Sequence, residues 1–555
     1  MVLPSDSHIE IVPLGGLGEF GMNLMLYRQG DDCIVVDCGM MFPGADHLGV
    51  DVVIPSLAHL DDCGTIHGVI LTHGHEDHTG ALPYLLAKRD LPVYGTPFTL
   101  GLVQGRLEEH GLGRPGALRT FPAPGSPLRL GPFEIEGIPV AHSIPQALLL
   151  VIRTSLGTIV HTADFKLDPD PIDGAGINLS ALERLGEEGV LALLSDSTNA
   201  GDPGFTAGER SVVPALDSLV ADARGRVFVT CFASNVHRVQ TVSDVAARHG
   251  RRVALVGSSM IGHSEVAARL GLLRFPAGHR IEPEAAMDLP PEKALLLVTG
   301  SQGEPMSALA RIAVDEHREA RIEEGDVVLH SARTIPGNEK SVGRMINHLF
   351  RRGAEVVTRA EAPIHVSGHP AREELKLLLR TLRPRFLLPI HGEYRQLVTH
   401  ARLGSEAGLE AGAVVVAASG DVVALGGSSC EIVDRVPVGQ VFIDETLEEV
   451  DLDVLRDRRR IAGDGIVVTV VAVDRESGAV NGTPEIVSRG FVPGDDDAGV
   501  LDDARAVVAS ALSDATPEER ADEGLLKARI QTELRRFLRR RTQRRPLIVP
   551  VVVEL

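Results

Sequence analysis

Leu71-Thr72-His73-Gly74-His75-Glu76-Asp77-His78-Thr79-Gly80 is the stretch whose reading decides the fold: three histidines and the carboxylate of Asp77 fall within six positions. The run before it, Gly68-Val69-Ile70-Leu71, is apolar and β-branched and reads as a buried strand. The run after it, Ala81-Leu82-Pro83-Tyr84-Leu85-Leu86, reads as the start of a helix. The cluster therefore occupies the turn at a strand end, where a rigid sheet can aim several side chains at one point. Imidazole and carboxylate suit zinc or a similar divalent ion, His73 and His75 gripping one and Asp77 and His78 facing a second.

Composition bounds the rest. A chain of 555 residues exceeds one hydrophobic core, so two to four domains are expected. The formal net charge of -21 argues against a nucleic-acid binder held by overall charge, though it leaves room for a local basic channel. Trp is absent and aromatics make up 3%, so broad base-stacking platforms are not expected, although one or two stacking residues would suffice. Five scattered cysteines with no CxxC pair read as the reduced, buried thiols of a cytoplasmic protein. The N-terminal ten residues carry no basic-then-apolar pattern, and no apolar run approaches the ~18 residues of a membrane span.

Around the cluster, Ile9 to Leu14 reads as a strand, and the glycine-rich run 15–21 reads as a hairpin into a strand over 23–27 rather than a dinucleotide loop. Cys33 to Gly39 is a third strand, carrying Asp37 at its end. From about 90 to 165 the pattern is of short β runs, with His142 and Asp164 at two strand ends. Leu191 to Leu194 leads into the polar run Ser195-Asp196-Ser197-Thr198-Asn199. About 160 residues of alternating strand and helix follow, with Asp326 to Ser331 as the last clear strand, implying an inserted parallel-sheet domain. Its strands end in small polar residues such as Ser234-Asn235, which suit phosphate contacts. Ile364-His365-Val366-Ser367-Gly368-His369 precedes a leucine-rich helix, and Phe386 to Ile390 is a strand delivering His391. Beyond 440, a connecting segment precedes a strand over 465–473 with a hairpin after it, helices over about 500–513 and 517–541, and a final strand over 547–555. Ile530, Leu534, Phe537 and Leu538 share one face of the last helix, and seven arginines between 535 and 545 crowd its end. Those arginines suit either RNA phosphates or a solvated, partner-facing surface.

The HxHxDH cluster resembles the metal-binding motif of the metallo-β-lactamase superfamily. That resemblance implies His142 and Asp164 as further metal ligands, with Asp164 bridging two ions, and Asp37 as the carboxylate that orients a liganded histidine. With the long insertion, Asp196, His369 and His391 resemble motifs A, B and C of the β-CASP group of nucleases. The runs 300–306 and 331–339, the Ser-Gly-His loop and the Pro-Ile-His-Gly-Glu strand end resemble the bacterial ribonuclease J family along the whole chain. The fold so implied is an α/β metallo-β-lactamase αββα sandwich (1–208 and 359–440) with a β-CASP insertion (209–358), a linker (441–463) and a small C-terminal α/β oligomerisation domain (464–555).

The same resemblance implies a metal-dependent exo- and endoribonuclease of RNA maturation and decay, working 5′ to 3′ and favouring a 5′-monophosphate. One ion would take His73, His75 and His142; the other Asp77, His78 and His391; Asp164 would bridge. A water between the ions would lose a proton and attack phosphorus. His369 would touch the scissile phosphate or protonate the leaving oxygen, oriented by Asp196. Ser234, Asn235, His365, Val366, Ser367, Gly368 and His369 are the implied substrate-binding positions. Zinc suits the ligand set and manganese is compatible with it. A structural calcium held by main-chain oxygens of Leu48 and Val50 and the Asp444 carboxylate is also implied. The expected partners are single-stranded RNA, further copies of the chain as dimer or tetramer, and RNA-decay proteins, with no membrane. Three alternatives remain open: a DNA nuclease of the same group, a hydrolase of small thioesters or lactams, and a non-catalytic scaffold. A small substrate needs neither the insertion nor His369, and a scaffold needs no intact ligand set.

Overall fold

The computed structural model describes residues 8–44, 47–113, 117–174, 176, 178–304, 306–335, 337–474, 481–491, 497–516, 519–520 and 522–554. The apolar run before the histidine cluster is the strand Thr65–Ile70, central in an eight-stranded sheet. Its neighbours are Asp32–Val36, which carries Asp37 just past its end, and Val93–Gly95. Ile9–Gly15 and Leu24–Gln29 pair antiparallel on the same sheet, so the glycine-rich run is a hairpin connection. Asp421–Leu425 and Cys430–Arg435 close one edge from the far end of the sequence. A second sheet of six strands runs in the order Phe386–Ile390, Ala192–Asp196, Gly157–His161, Ala147–Thr154, Phe133–Val140, Leu128–Leu130.

The inner faces of both sheets supply one core, including Ile11, Tyr27, Ile34 and Ile70 from the first and Ile135, Leu150, Leu194 and Leu388 from the second. Helices Leu179–Glu188, Arg372–Leu382 and Tyr394–Glu406 cover the outer face of the second sheet, where Leu182, Leu378 and Leu403 share a core with Val151 and Leu193. Pro97–Glu109 packs on strands Val93–Gly95 and Leu118–Thr120 of the first. This is the expected αββα sandwich. The helix Pro97–Glu109 corrects the all-β reading of 90–165. Two glycines weaken its helical pattern, yet Gly101 has a packing role: a Cβ there would sit 2.5 Å from Val266 of the insertion.

The insertion is a six-stranded, wholly parallel sheet in the order Arg280–Ile281, Arg252–Val256, Ala294–Val298, Val227–Thr230, Val327–His330, Glu355–Thr358. Its central strands are buried throughout because cores lie on both faces, as parallel sheets require. Glu355–Thr358 extends the sheet beyond the strand read as the last clear one; an edge strand of four residues has too little apolar run to be legible.

Contacts divide the chain into two compact units, Met1–Phe42 with Val53–Val441 and Pro43–Val52 with Phe442–Leu555. In the second unit, Ile466–Val473 pairs antiparallel with Glu485–Arg489 and parallel with Leu547–Glu554. Helices Asp497–Ser513 and Glu523–Thr542 pack on this sheet through Val508, Leu512, Ile530, Leu534 and Leu538. Positions 517, 518 and 521, read as the start of the second helix, lie outside the described residues. The segment read as linker contains the helix Leu452–Asp464. The short stretch 43–52 joins this unit, Asp51 N–H donating to Ile443 O at 2.8 Å. All five cysteines are free and buried.

One buried ion pair ties the ends of the insertion together. Arg238 is fully buried; its Nε donates to Glu209 Oε1 at 2.7 Å, and its Nη1 donates to Ile364 O at 2.7 Å and to Ser331 Oγ. Glu209 lies where the chain enters the insertion and Ile364 where it leaves. Removing one partner strands a buried charge, so Arg238→Met should cost about 3–5 kcal/mol in urea unfolding. Arg238→Met with Glu209→Leu should recover most of that loss. A single variant as stable as the parent would refute the tether.

Candidate metal centre

Four strand ends converge on the edge where the two sheets meet. His73 and His75 lie on the turn after Thr65–Ile70, and Asp77 and His78 in the single helical turn Glu76–Thr79. His142 follows Phe133–Val140, Asp164 follows Gly157–His161, and His391 follows Phe386–Ile390. Three non-glycine residues here adopt left-handed backbone: Asp37 (φ 62°), Ala163 (φ 49°) and His391 (φ 53°). Such conformations cost about 1–3 kcal/mol each and persist where the surroundings impose them.

The donor atoms of the seven expected ligands form two groups that share Asp164, and a third group joins Asp164 and His391 to Asp196 and His369. In the first, His75 Nδ1 lies 3.1 Å from His73 Nε2 and 3.2 Å from His142 Nε2. Asp164 Oδ2 lies 3.7 Å from His73 Nε2 and 3.6 Å from His142 Nε2. In the second, His78 Nε2 is 3.7 Å from Asp77 Oδ2 and 3.5 Å from Asp164 Oδ2. His391 Nε2 is 3.5 Å from Asp77 Oδ2 and 3.4 Å from Asp164 Oδ1. Ligands about 2.0–2.2 Å from a tetrahedral zinc-type ion lie roughly 3.3–3.6 Å apart, close to these separations. Asp164 Oδ1 is buried with no hydrogen-bond partner, an arrangement that a cation would resolve. The residues therefore fit divalent metal ions, all seven expected ligands falling within the two groups.

Neighbouring residues fix the ligands. Asp37 accepts from His78 Nδ1 at 2.7 Å and from Thr72 N–H at 2.8 Å, so it orients the histidine and clamps the turn. Gly368 O lies 2.7 Å from His142 Nδ1, and a Cβ on Gly368 would meet that imidazole at 2.7 Å, so only glycine fits. Thr198 Oγ1 lies 2.8 Å from His391 Nδ1. His369 Nδ1 lies 2.8 Å from Asp196 Oδ2 and 3.9 Å from Asp164 Oδ2, beside both metal groups. The His369 carbonyl is held by Asn199 Nδ2 and Thr206 Oγ1. Thr72, Thr198, Asn199 and Thr206 were not singled out in the sequence. Thr198 and Asn199 stand in the polar run after Asp196, but their roles depend on contacts 193 and 168 positions away.

The expected phosphate-binding positions cluster nearby. Ser367 Oγ accepts from Asn199 Nδ2 at 2.8 Å. Asn235 caps the helix Val236–Arg248, its side chain accepting from Arg238 N–H, which leaves its amide nitrogen for a ligand. Ser234 is buried at the same turn, and Val366 is half-buried. Burial pushes the His365 imidazole down to about 3, and its Nδ1 has no partner. In the second unit, Leu48 O accepts from Arg458 Nη1 at 3.1 Å and Asp444 Oδ1 from Thr446 Oγ1 at 2.6 Å. Val50 is buried beside them.

The electrostatics divide the two groups. Burial pushes His73 and His142 well below the ordinary histidine range and His75 down to about 4. These three are neutral and ready to ligate. Burial also opposes charge on His78 and His391, but Asp164 and its neighbouring carboxylates outweigh it, raising His78 strongly and His391 to about 10. The same imidazoles outweigh burial at Asp77 and Asp164 and hold both carboxyls below their usual range.

Fold and site together define a metallo-β-lactamase-type metal-dependent hydrolase with a β-CASP insertion. Residues 17–217 match the metallo-beta-lactamase superfamily, 224–349 the ribonuclease J beta-CASP domain, 353–414 the Zn-dependent metallo-hydrolase RNA specificity domain and 453–555 the ribonuclease J C-terminal domain. The chain is 41% identical over 560 residues to ribonuclease J of Thermus thermophilus, covering 99% of this chain and 96% of that protein. It is 39% identical to ribonuclease J of Mycobacterium tuberculosis (99% and 97% covered) and 36% to ribonuclease J2 of Bacillus subtilis (99% and 99%). A crystal structure of a protein of unknown function from Enterococcus faecalis shares the fold, with TM-score 0.53 and 16% identity over 76% of this chain and all of that one. The chain belongs to the ribonuclease J family. No helix among the described residues is long and apolar enough to cross a membrane.

Because His78 and His391 carry protons in the metal-free protein and ligation needs them neutral, metal loading should release protons and tighten as pH rises from about 6 to 8. Calorimetric titration with zinc in two buffers of different ionisation enthalpy reads this directly. Equal heats in both buffers would contradict it.

Proposed function

We propose that this chain is a ribonuclease that hydrolyses RNA phosphodiesters with two divalent ions, acting 5′ to 3′ from a 5′-monophosphate end and also within the strand. The observation that carries the reading is the His369–Asp196 pair set against two metal groups that share Asp164. Family membership and the name ribonuclease J borne by the relatives support RNA as the substrate.

His73, His75, His142 and Asp164 would hold one ion, and Asp77, His78, Asp164 and His391 the other. When bound, two such ions, zinc or manganese, supply Lewis-acid charge to the phosphate and acidify the attacking water. The chain's own residues do the rest. Asp196 directs His369 Nδ1 and leaves Nε2 for substrate. Burial opposes charge on His369, but Asp196 and Asp164 outweigh it and raise its pKa, so it holds a proton near neutral pH. The attacking water loses a proton to solvent as its oxygen bonds to phosphorus, the bond to the 3′ oxygen breaks, and His369 gives its proton to that oxygen. The products are a 3′-hydroxyl and a fragment with a new 5′-phosphate, the end group favoured for the next round. Ser234, the Asn235 amide, His365, Val366, Ser367 and Gly368 line the binding site for that phosphate, Ser234 and Asn235 at the N-terminus of Val236–Arg248. The calcium site at Leu48, Val50 and Asp444 belongs to the same proposal; an ion there would displace Arg458 from the Leu48 carbonyl. Oligomerisation through the C-terminal domain is likewise proposed.

The test is cleavage of a 5′-monophosphorylated RNA, its 5′-triphosphate twin, matched single-stranded DNA and a thioester, with and without chelator. The expected result is chelator-sensitive release of mononucleotides from the first and internal cuts in the second. His75→Ala should abolish cleavage in a folded protein, and His369→Ala should lower kcat by about 10²–10⁴-fold with the metal content retained. DNA or thioester as the better substrate would overturn the reading. Metal loss in His369→Ala would make that residue a ligand.

A further inference from the structure

The helix Glu523–Thr542 ends in an unusual surface. Seven arginines, 535, 536, 539, 540, 541, 544 and 545, fall within eleven positions that contain no acid, in a chain with 76 acidic and 55 basic residues. Elsewhere in this unit basic side chains find carboxylates, as Arg456 with Asp453, Arg505 with Asp502, Lys527 with Glu523 and Arg529 with Glu519, or carbonyls, as Arg458 with Leu48 O and Arg520 with Ser513 O. At the helix end, Arg536 pairs with Glu533, Arg541 lies 4.0 Å from Asp503 and Arg544 donates to Phe491 O. The side chains of Arg535, Arg539, Arg540 and Arg545 are exposed and have no acidic or carbonyl partner among the described residues.

That arrangement is unfavourable for the helix alone. Arg535 and Arg539, and Arg536 and Arg540, are like charges four residues apart, which destabilises a helix. Complementing the helix dipole explains cations in the last turn, but not Arg535, which lies further in, or Arg545, which lies beyond the end. The opposite face, Leu526, Ile530, Leu534 and Leu538, is committed to the core, so Arg535, Arg536, Arg539 and Arg540 project away from it. Guanidinium forks match phosphate oxygens bidentately, and an otherwise acidic chain concentrates an anionic ligand on its few basic surfaces.

We infer that Arg535, Arg539, Arg540 and Arg545 form a second contact for the backbone of long single-stranded RNA, outside the catalytic centre. This rests on the ribonuclease reading. The patch holds the strand without regard to sequence and raises affinity for long RNA over short.

The experiment uses the full metal-loaded chain with a long single-stranded RNA and a short one that fills only the catalytic site, both carrying phosphorothioate linkages that resist cleavage. Affinity is measured against salt for the parent, for Arg535→Gln/Arg539→Gln/Arg540→Gln, and for the matching Lys triple. Losing three phosphate contacts should lower the slope of log K against log salt by about 2 for the long RNA, and Arg540→Gln alone by about 0.7. The Lys triple should restore the slope, and the short RNA should bind all variants alike. An unchanged slope for long RNA would overturn the inference. So would loss of oligomeric mass with unchanged RNA affinity, which would assign the patch to a second copy of the chain. A parent protein that binds neither RNA would overturn the ribonuclease reading itself.

Discussion

Asp164 is 2% exposed, and its carboxylate lies within 3.4 to 3.9 Å of His73, His78, His142, His369 and His391. Burying a carboxylate is tolerable only against fixed opposite charge, and imidazoles supply that charge only if protonated or bound to a cation. The sandwich answers this constraint by ending strands from both sheets at one edge. The end of Thr65–Ile70 gives four donors and three other strand ends give one each, and a hydrogen bond from another element fixes three of them: Asp37 on His78, Gly368 on His142, Thr198 on His391. The left-handed backbone at Asp37, Ala163 and His391 is what such aiming costs the chain.

The insertion depends on the same edge. It leaves after Ala192–Asp196 and returns before His369, so the Asp196–His369 pair spans its two ends. Arg238, with Glu209 and the Ile364 carbonyl, holds those ends in register. Ser367 and Asn199 connect that register to the His369 loop. Any phosphate held at the insertion is thereby indexed to the metal groups.

Much of this was legible in the sequence because the ligands are local to strand ends. Three histidines and Asp77 occupy six consecutive positions, and His142, Asp164 and His391 each follow an apolar run. The parallel sheet announced itself as buried runs such as 294–298. What escaped reading was non-local or weakly patterned. Thr198 and Asn199 act through partners far along the chain. Pro97–Glu109 hides behind two glycines, of which close packing requires Gly101, and the stretch 43–52 joins the second unit only through tertiary contacts. The buried Arg238 carries no sequence mark, since an arginine in an amphipathic helix ordinarily faces water.

The central claim is that one carboxylate joins two metal groups into a single centre. The most direct test is metal stoichiometry by mass spectrometry on purified parent and Asp164→Asn, alongside circular dichroism to confirm folding. This account predicts two divalent ions per parent chain and fewer than one in the folded variant, whose neutral amide leaves the histidine cage uncompensated. Two ions retained in Asp164→Asn, or no more than one in the parent, would contradict it.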